Sequence, residues 1–141
     1  SVKPFLQYKG KWAIILGLTS NKGAADFEMQ QTGDGLLYEK VLKTVSAWGS
    51  PDNLMFVVGA TRADSFISIR KLVPDHFLLV PGVGAQGGSM NDISEKAMNK
   101  DCGLLVNASR AVIYASGGLD FAEKARTVAQ EYQREMKGYL D

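Results

Sequence analysis

Phe77-Leu78-Leu79-Val80 runs directly into Pro81-Gly82-Val83-Gly84-Ala85-Gln86-Gly87-Gly88, so four apolar residues are followed by a loop with four glycines in eight positions. The apolar run has the length of a buried strand, and a short helical pattern opens near Ser89. Glycines at this density let a backbone approach a ligand closely. They also permit positive φ angles, so successive N–H groups can converge on one anion. Gln86 alone in the loop carries a polar side chain, which makes it the candidate to fold over such an anion. The spacing is neither a Walker loop nor GxGxxG, and in isolation the stretch reads as a tight strand-to-helix turn. The rest of the chain has to decide.

Working outward, three further apolar runs match this one. The sequence predicts strands at about 12–18 (WAIILGL), 54–59 (LMFVVG), 77–80 and 103–106 (GLLV). Their near-continuous apolarity is the mark of strands covered on both faces. Between them, Leu36, Leu37, Val41, Leu42, Val45 and Trp48 recur at helical spacing over 35–48. Thr61 and Asp64 have capping-box spacing ahead of Ile67, Ile69 and Leu72, with Pro74 as the stop. A short helix is expected over 92–99 and a long one from Phe121 through Met136. Pro4-Phe5-Leu6 is compatible with a further helical turn, and Asp26 to Gln31 is ambiguous. The order βαβαβαβα implies a parallel sheet with helices outside and ligands at the carboxyl ends of the strands. Two α/β architectures fit: a small doubly wound sheet, or four βα units forming half of a (β/α)8 barrel.

Length favours a part over a whole barrel, since 141 residues fall short of the roughly 250 that such a barrel takes. The formal net charge is +1, from 16 basic and 15 acidic residues mixed along the chain. That balance gives no electrostatic field for nucleic acid or an anionic membrane, so any phosphate site must be local. The lone Cys102 allows no internal disulfide and no cysteine-built metal site. No apolar run approaches the ~20 residues of a membrane span, and a cytoplasmic location is expected. In barrels the phosphate site is frequently built after the last two strands. Under that reading, Pro81 to Gly88 and Asn107-Ala108-Ser109-Arg110 become neighbours, with Arg110 supplying a forked cation.

The stretches LGLTSNKG (16–23), VPGVGAQGG (80–88) and LLVNASRAVIYAS (104–116) resemble the last four strand exits of the orotidine 5'-monophosphate decarboxylase family, most closely its bacterial branch. The resemblance covers essentially the whole chain and implies one partial domain, 1–141, the carboxyl half of a TIM-type barrel. It implies that Ser20 hydrogen-bonds the pyrimidine ring, that Gln86 closes over the ligand, and that Arg110 binds phosphate beside the amides of Gly87, Gly88 and Ser109. It further implies conversion of orotidine 5'-monophosphate (OMP) to UMP and CO2 in pyrimidine synthesis, without cofactor or metal, in a homodimer. The family's catalytic Asp-x-Lys-x-x-Asp array has no counterpart here. The catalytic residues are therefore expected in a separate amino-terminal half, and this chain alone is expected to be inactive.

Plainer readings stand beside each residue. Ser20 fits a helix cap, Arg62 a surface ion pair, Lys3 and Lys22 solvated side chains, and Trp12 and Trp48 packing residues. His76, placed before a strand, is given no catalytic role. As a whole, the chain also fits a non-catalytic half-barrel that binds a phosphorylated metabolite, paired with a copy of itself. A third fit is a barrel enzyme acting on a sugar phosphate.

Overall fold

A computed structural model describes residues 2–84 and 87–140. A 3₁₀ turn at Phe5–Gln7 leads into β1 (Ala13–Leu18), and a second at Lys22–Ala25 leads into a small antiparallel ribbon of β2 (Gln31–Thr32) and β3 (Gly35–Leu36). Then follow α1 (Leu37–Ser46), β4 (Leu54–Val58), a 3₁₀ turn at Ala60–Arg62, α2 (Ser65–Leu72) and β5 (Leu78–Pro81). The chain ends with α3 (Met90–Ala97), β6 (Leu104–Asn107), α4 (Ser109–Ile113) and α5 (Phe121–Lys137). The four longer strands form one sheet in the order β1-β4-β5-β6, every neighbour parallel. Sequential strands thus sit side by side, each joined to the next by a helical crossover.

The register gives the sheet two unlike faces. Leu54, Phe56, Val58, Leu78, Val80 and Leu104 point one way and are buried under Tyr38, Leu42 and Val45 of α1, Phe66 and Ile69 of α2, and Ile93 and Ala97 of α3. Fully burying one such side chain stabilises the fold by about 1.5–3 kcal/mol, so this layer is what holds the sheet. Ile14, Leu16, Val57, Leu79 and Leu105 alternate onto the opposite face. There Ile14, Leu16 and Leu105 are 46%, 54% and 50% exposed. The sequence showed apolar residues for both faces; helices cover one, and the other leaves its outer strands half-exposed while Met55 in its middle is buried.

Several expectations need correction. The helix expected over 35–48 begins at Leu37, because residues 31–36 form the ribbon and the Glu39 carboxylate accepts the Leu36 N–H at 2.9 Å. Asp64 does not close a capping box: it precedes α2 without a side-chain cap bond and pairs with Lys96 at 3.1 Å. Trp12 and Trp48 are 48% and 45% exposed, so neither packs in the core, although the Trp12 ring lies against that of Phe77 with centroids 6.1 Å apart. The Trp12 indole N–H instead donates to the Pro51 carbonyl at 3.0 Å.

The amino-terminal end of the sheet is held by a residue that periodicity did not single out. The Arg70 guanidinium reaches from α2 to the carbonyls of Ala97 (2.7 Å), Val73 (3.0 Å), His76 (2.7 Å) and Gly103 (2.9 Å). One side chain thereby ties the end of α3 to the residues just before β5 and β6. Burial pulls its pKa down to about 10. Beside it, the buried His76 imidazole has neither ring nitrogen hydrogen-bonded and lies 5.5 Å from the Phe56 ring. Burial lowers the His76 pKa; the Asp75 carboxylate opposes that shift and the Arg70 cation adds to it. Among the described residues no helix is long and apolar enough to cross a membrane.

Candidate functional site at the carboxyl ends of the strands

Strands β5 and β6 pair in register to their last residues, Pro81 opposite Asn107, so the two chain segments leave the sheet side by side. After β5 the backbone turns through Gly82, Gly84 and Gly87, whose φ values of 96°, 71° and 86° are open to glycine at little cost. The Gly84 N–H donates to the Gly88 carbonyl at 3.0 Å, and Val83 bridges to Gly88, closing the loop on itself. After β6, the Ser109 hydroxyl donates to the Asn107 side-chain oxygen at 2.7 Å, and Arg110 follows in the first turn of α4. Between the two exits lies a cleft of about 160 Å³, lined by Pro81, Gly82 and Val83 on one side and by Asn107 to Arg110 on the other.

The cleft therefore brings the glycine-rich exit, Ser109 and Arg110 together. Arg110 is exposed, and the single ion pair among the described residues is Lys96 with Asp64, so no described carboxylate pairs with the Arg110 guanidinium. Gly87 and Gly88 border the same loop, but their amides are engaged within it: Gly87 N–H with Gly84 O at 2.9 Å, and Gly88 N–H with Gly82 O at a long 3.4 Å. To grip an anion, those two N–H groups would have to exchange internal partners for the ligand. Gln86 lies outside the described residues.

Ser20 sits at the same end of the sheet on the far strand, β1. Three inter-strand steps of about 4.8 Å separate β1 from β6, or about 14 Å along the sheet. The Ser20 hydroxyl is buried with no hydrogen-bond partner among the described residues. It is not a helix cap, since Asn21 precedes the 3₁₀ turn and no side-chain cap bond is made there. Gly59, at the end of β4, makes room for it: a Cβ at Gly59 would fall 2.1 Å from the Ser20 Oγ. The preceding Thr19 donates its N–H to the Glu28 carboxylate at 2.7 Å and its hydroxyl to the same carboxylate at 3.0 Å. Among the described residues Arg62 forms no ion pair; its Nε–H donates to the Thr19 carbonyl at 3.2 Å.

Sequence reasoning missed Glu28 and Gly59. Glu28 falls in the stretch that periodicity left ambiguous, nine residues from the backbone it holds, and a carboxylate at that distance has no spacing signature. Gly59 was read only as the end of an apolar run. Among the described residues no cluster of acidic, histidine or cysteine side chains could hold a metal ion.

No protein-family model matches the chain. It is 55% identical over 141 residues to the orotidine 5'-phosphate decarboxylase of Flavobacterium johnsoniae, covering all of this chain and 52% of that protein. It is likewise 55% identical to the Parabacteroides distasonis protein of the same name, covering 99% of this chain and 50% of that one. The chain thus spans about half the length of the curated relatives it matches. Among solved structures, Leishmania donovani UMP synthase superposes with a TM-score of 0.82 at 33% identity, over 96% of this chain and 30% of that one. Leishmania donovani OMP decarboxylase superposes with a TM-score of 0.80 at 29% identity, over 97% and 52%. In sequence and in fold, this α/β chain corresponds to the carboxyl-terminal half of the orotidine 5'-phosphate decarboxylase barrel.

Proposed function

We propose that this chain supplies the phosphate- and pyrimidine-binding half of an orotidine 5'-monophosphate decarboxylase, a carboxy-lyase of cytoplasmic pyrimidine synthesis that forms UMP and CO2. The observation that carries this reading is the single cleft shared by the glycine-rich exit of β5 and the Ser109-Arg110 exit of β6. Arg110 is the cation for the phosphate, with amides of Ser109, Gly87 and Gly88 as further donors. Ser20, about 14 Å away along the sheet, reads the other end of an extended nucleotide, and its unpaired hydroxyl gains a partner there. Gln86 is assigned its contact with the nucleotide on the family resemblance alone.

In the reaction, the bond from ring carbon six to the carboxylate breaks, CO2 leaves, and the electron pair stays on that carbon until a proton arrives. Stabilising and protonating the carbanion falls to a lysine and aspartate array outside this chain. The work of this half is to bind groups remote from the breaking bond. That binding speeds the reaction only where it is expressed more fully in the transition state than in the ground state. Closure of the loop expels water and strengthens the charges inside. The exposed Ile14, Leu16 and Leu105 support a covering partner for the sheet, the amino-terminal half of the barrel. A homodimer of completed barrels is the expected assembly.

The test is loss of OMP absorbance with the purified chain alone and with the chain mixed with the amino-terminal half of the Flavobacterium johnsoniae protein. No turnover is expected alone, and turnover is expected after mixing. Turnover by the chain alone would overturn the division of labour, and a reassembled barrel that fails to bind UMP would overturn the site.

A further inference from the structure

We propose that Glu28 is a positioning residue that holds Thr19 so that the adjacent Ser20 hydroxyl stays free for the pyrimidine ring. The inference rests on the reading of Ser20 given above and deepens it. All three polar groups of Thr19 are taken by side chains from elsewhere in the chain. Its N–H and hydroxyl go to the Glu28 carboxylate at 2.7 and 3.0 Å, and its carbonyl goes to the Arg62 guanidinium at 3.2 Å. The Glu28 carbonyl is itself held by the Tyr38 N–H at 2.9 Å, so the carboxylate hangs from the anchored start of α1. The next residue is the opposite case: its buried hydroxyl has no partner among the described residues. Buried polar groups are nearly always satisfied, and unlike the orphaned Ser94 hydroxyl on α3 and the His76 ring at the other end of the sheet, this one lies at the carboxyl ends of the strands, where parallel α/β sheets bind ligands.

The chemistry favours a carboxylate. Glutamate Oε2 accepts both Thr19 donors as charge-assisted bonds, which are about twice as strong as the neutral bonds a glutamine amide would offer. With those bonds weakened, the exit of β1 can rotate and the Ser20 hydroxyl can find an internal acceptor. The ring would then lose its partner while the cleft between β5 and β6 stayed intact.

The experiment uses a full barrel in which this chain replaces the matching half of the Flavobacterium johnsoniae protein. Four forms are compared: the parent, Glu28→Gln, Ser20→Ala and the double variant, each assayed for kcat/KM on OMP and for inhibition by UMP and by ribose 5-phosphate, which has the phosphate but no ring. Each single change should lower kcat/KM by about tenfold, and the double variant should fall no further than Ser20→Ala, because Glu28 acts through Ser20. UMP should bind about tenfold more weakly to Glu28→Gln, with ribose 5-phosphate binding unchanged. Multiplying effects in the double variant, or equal weakening of both inhibitors, would overturn the proposal and leave Glu28 as a structural staple. Should Glu28→Gln not fold, Thr19→Val removes one of the two donors and must reproduce the same selective loss of UMP. A different result, Ser20→Ala with undiminished affinity for UMP, would remove the pyrimidine role of Ser20 itself.

Discussion

Replacing Arg70 by methionine keeps most of the side-chain volume and removes the forked cation at the amino-terminal end of the sheet. Four backbone carbonyls, on Ala97, Val73, His76 and Gly103, lose a donor at 3.0 Å or less. A hydrogen bond to a charged group contributes about 1.5–3 kcal/mol. The contributions do not simply add, because water reaches part of this end and because the buried guanidinium carries a desolvation cost, visible in its pKa of about 10, that the variant no longer bears. A net loss of about 3 kcal/mol follows. For a chain of 141 residues that corresponds to a Tm lower by about 10 °C. Urea unfolding followed by far-UV circular dichroism measures it directly. Arg70→Lys should recover little, because one ammonium cannot span carbonyls on three separate segments. A loss below about 1 kcal/mol for Arg70→Met would show that solvent, not the guanidinium, satisfies those carbonyls.

Two further outcomes are expected. Burial holds the folded-state pKa of His76 below 6.5, so below that pH the unfolded chain takes up a proton that the folded chain refuses. Stability should therefore be fully present above about pH 6.5 and decline on acidification toward the lowered folded value, and His76→Phe should flatten this part of the profile; an unchanged slope in that variant would assign the acid sensitivity to other groups. In a reassembled barrel, Arg110→Ala should lower kcat/KM by about 100-fold, the equivalent of roughly 3 kcal/mol for a lost charged partner. An unaltered kcat/KM would remove Arg110 from the site.

The bare face of the sheet bears on function as well as on assembly. Ile14, Leu16 and Leu105 line the side of the sheet left open in this half. A cover there would exclude water beneath the strand exits and leave the mouth above them free. Two pinned exits, Thr19-Ser20 held by Glu28 and Arg62 and the β5 loop held by its own carbonyls, both lie at the carboxyl end of the sheet.

What the sequence determined by itself was the alternation of elements and where the polar exits fall. Four apolar runs separated by helical periods can bury themselves only as a parallel α/β layer, and glycines after Val80 with Ser109-Arg110 after β6 mark the carboxyl ends. Such signals are local and repeat every two or 3.6 residues, which is why they survive in a linear reading. The tertiary structure alone decided the rest. It left one face of the sheet open, turned the Gly87 and Gly88 amides inward, and left Trp12 and Trp48 half-exposed. It also gave Arg70 the carbonyls before β5 and β6, and Glu28 the backbone before Ser20. These are single bonds between a side chain and a distant backbone group; each depends on how two separately formed elements pack, and no period in the sequence records that.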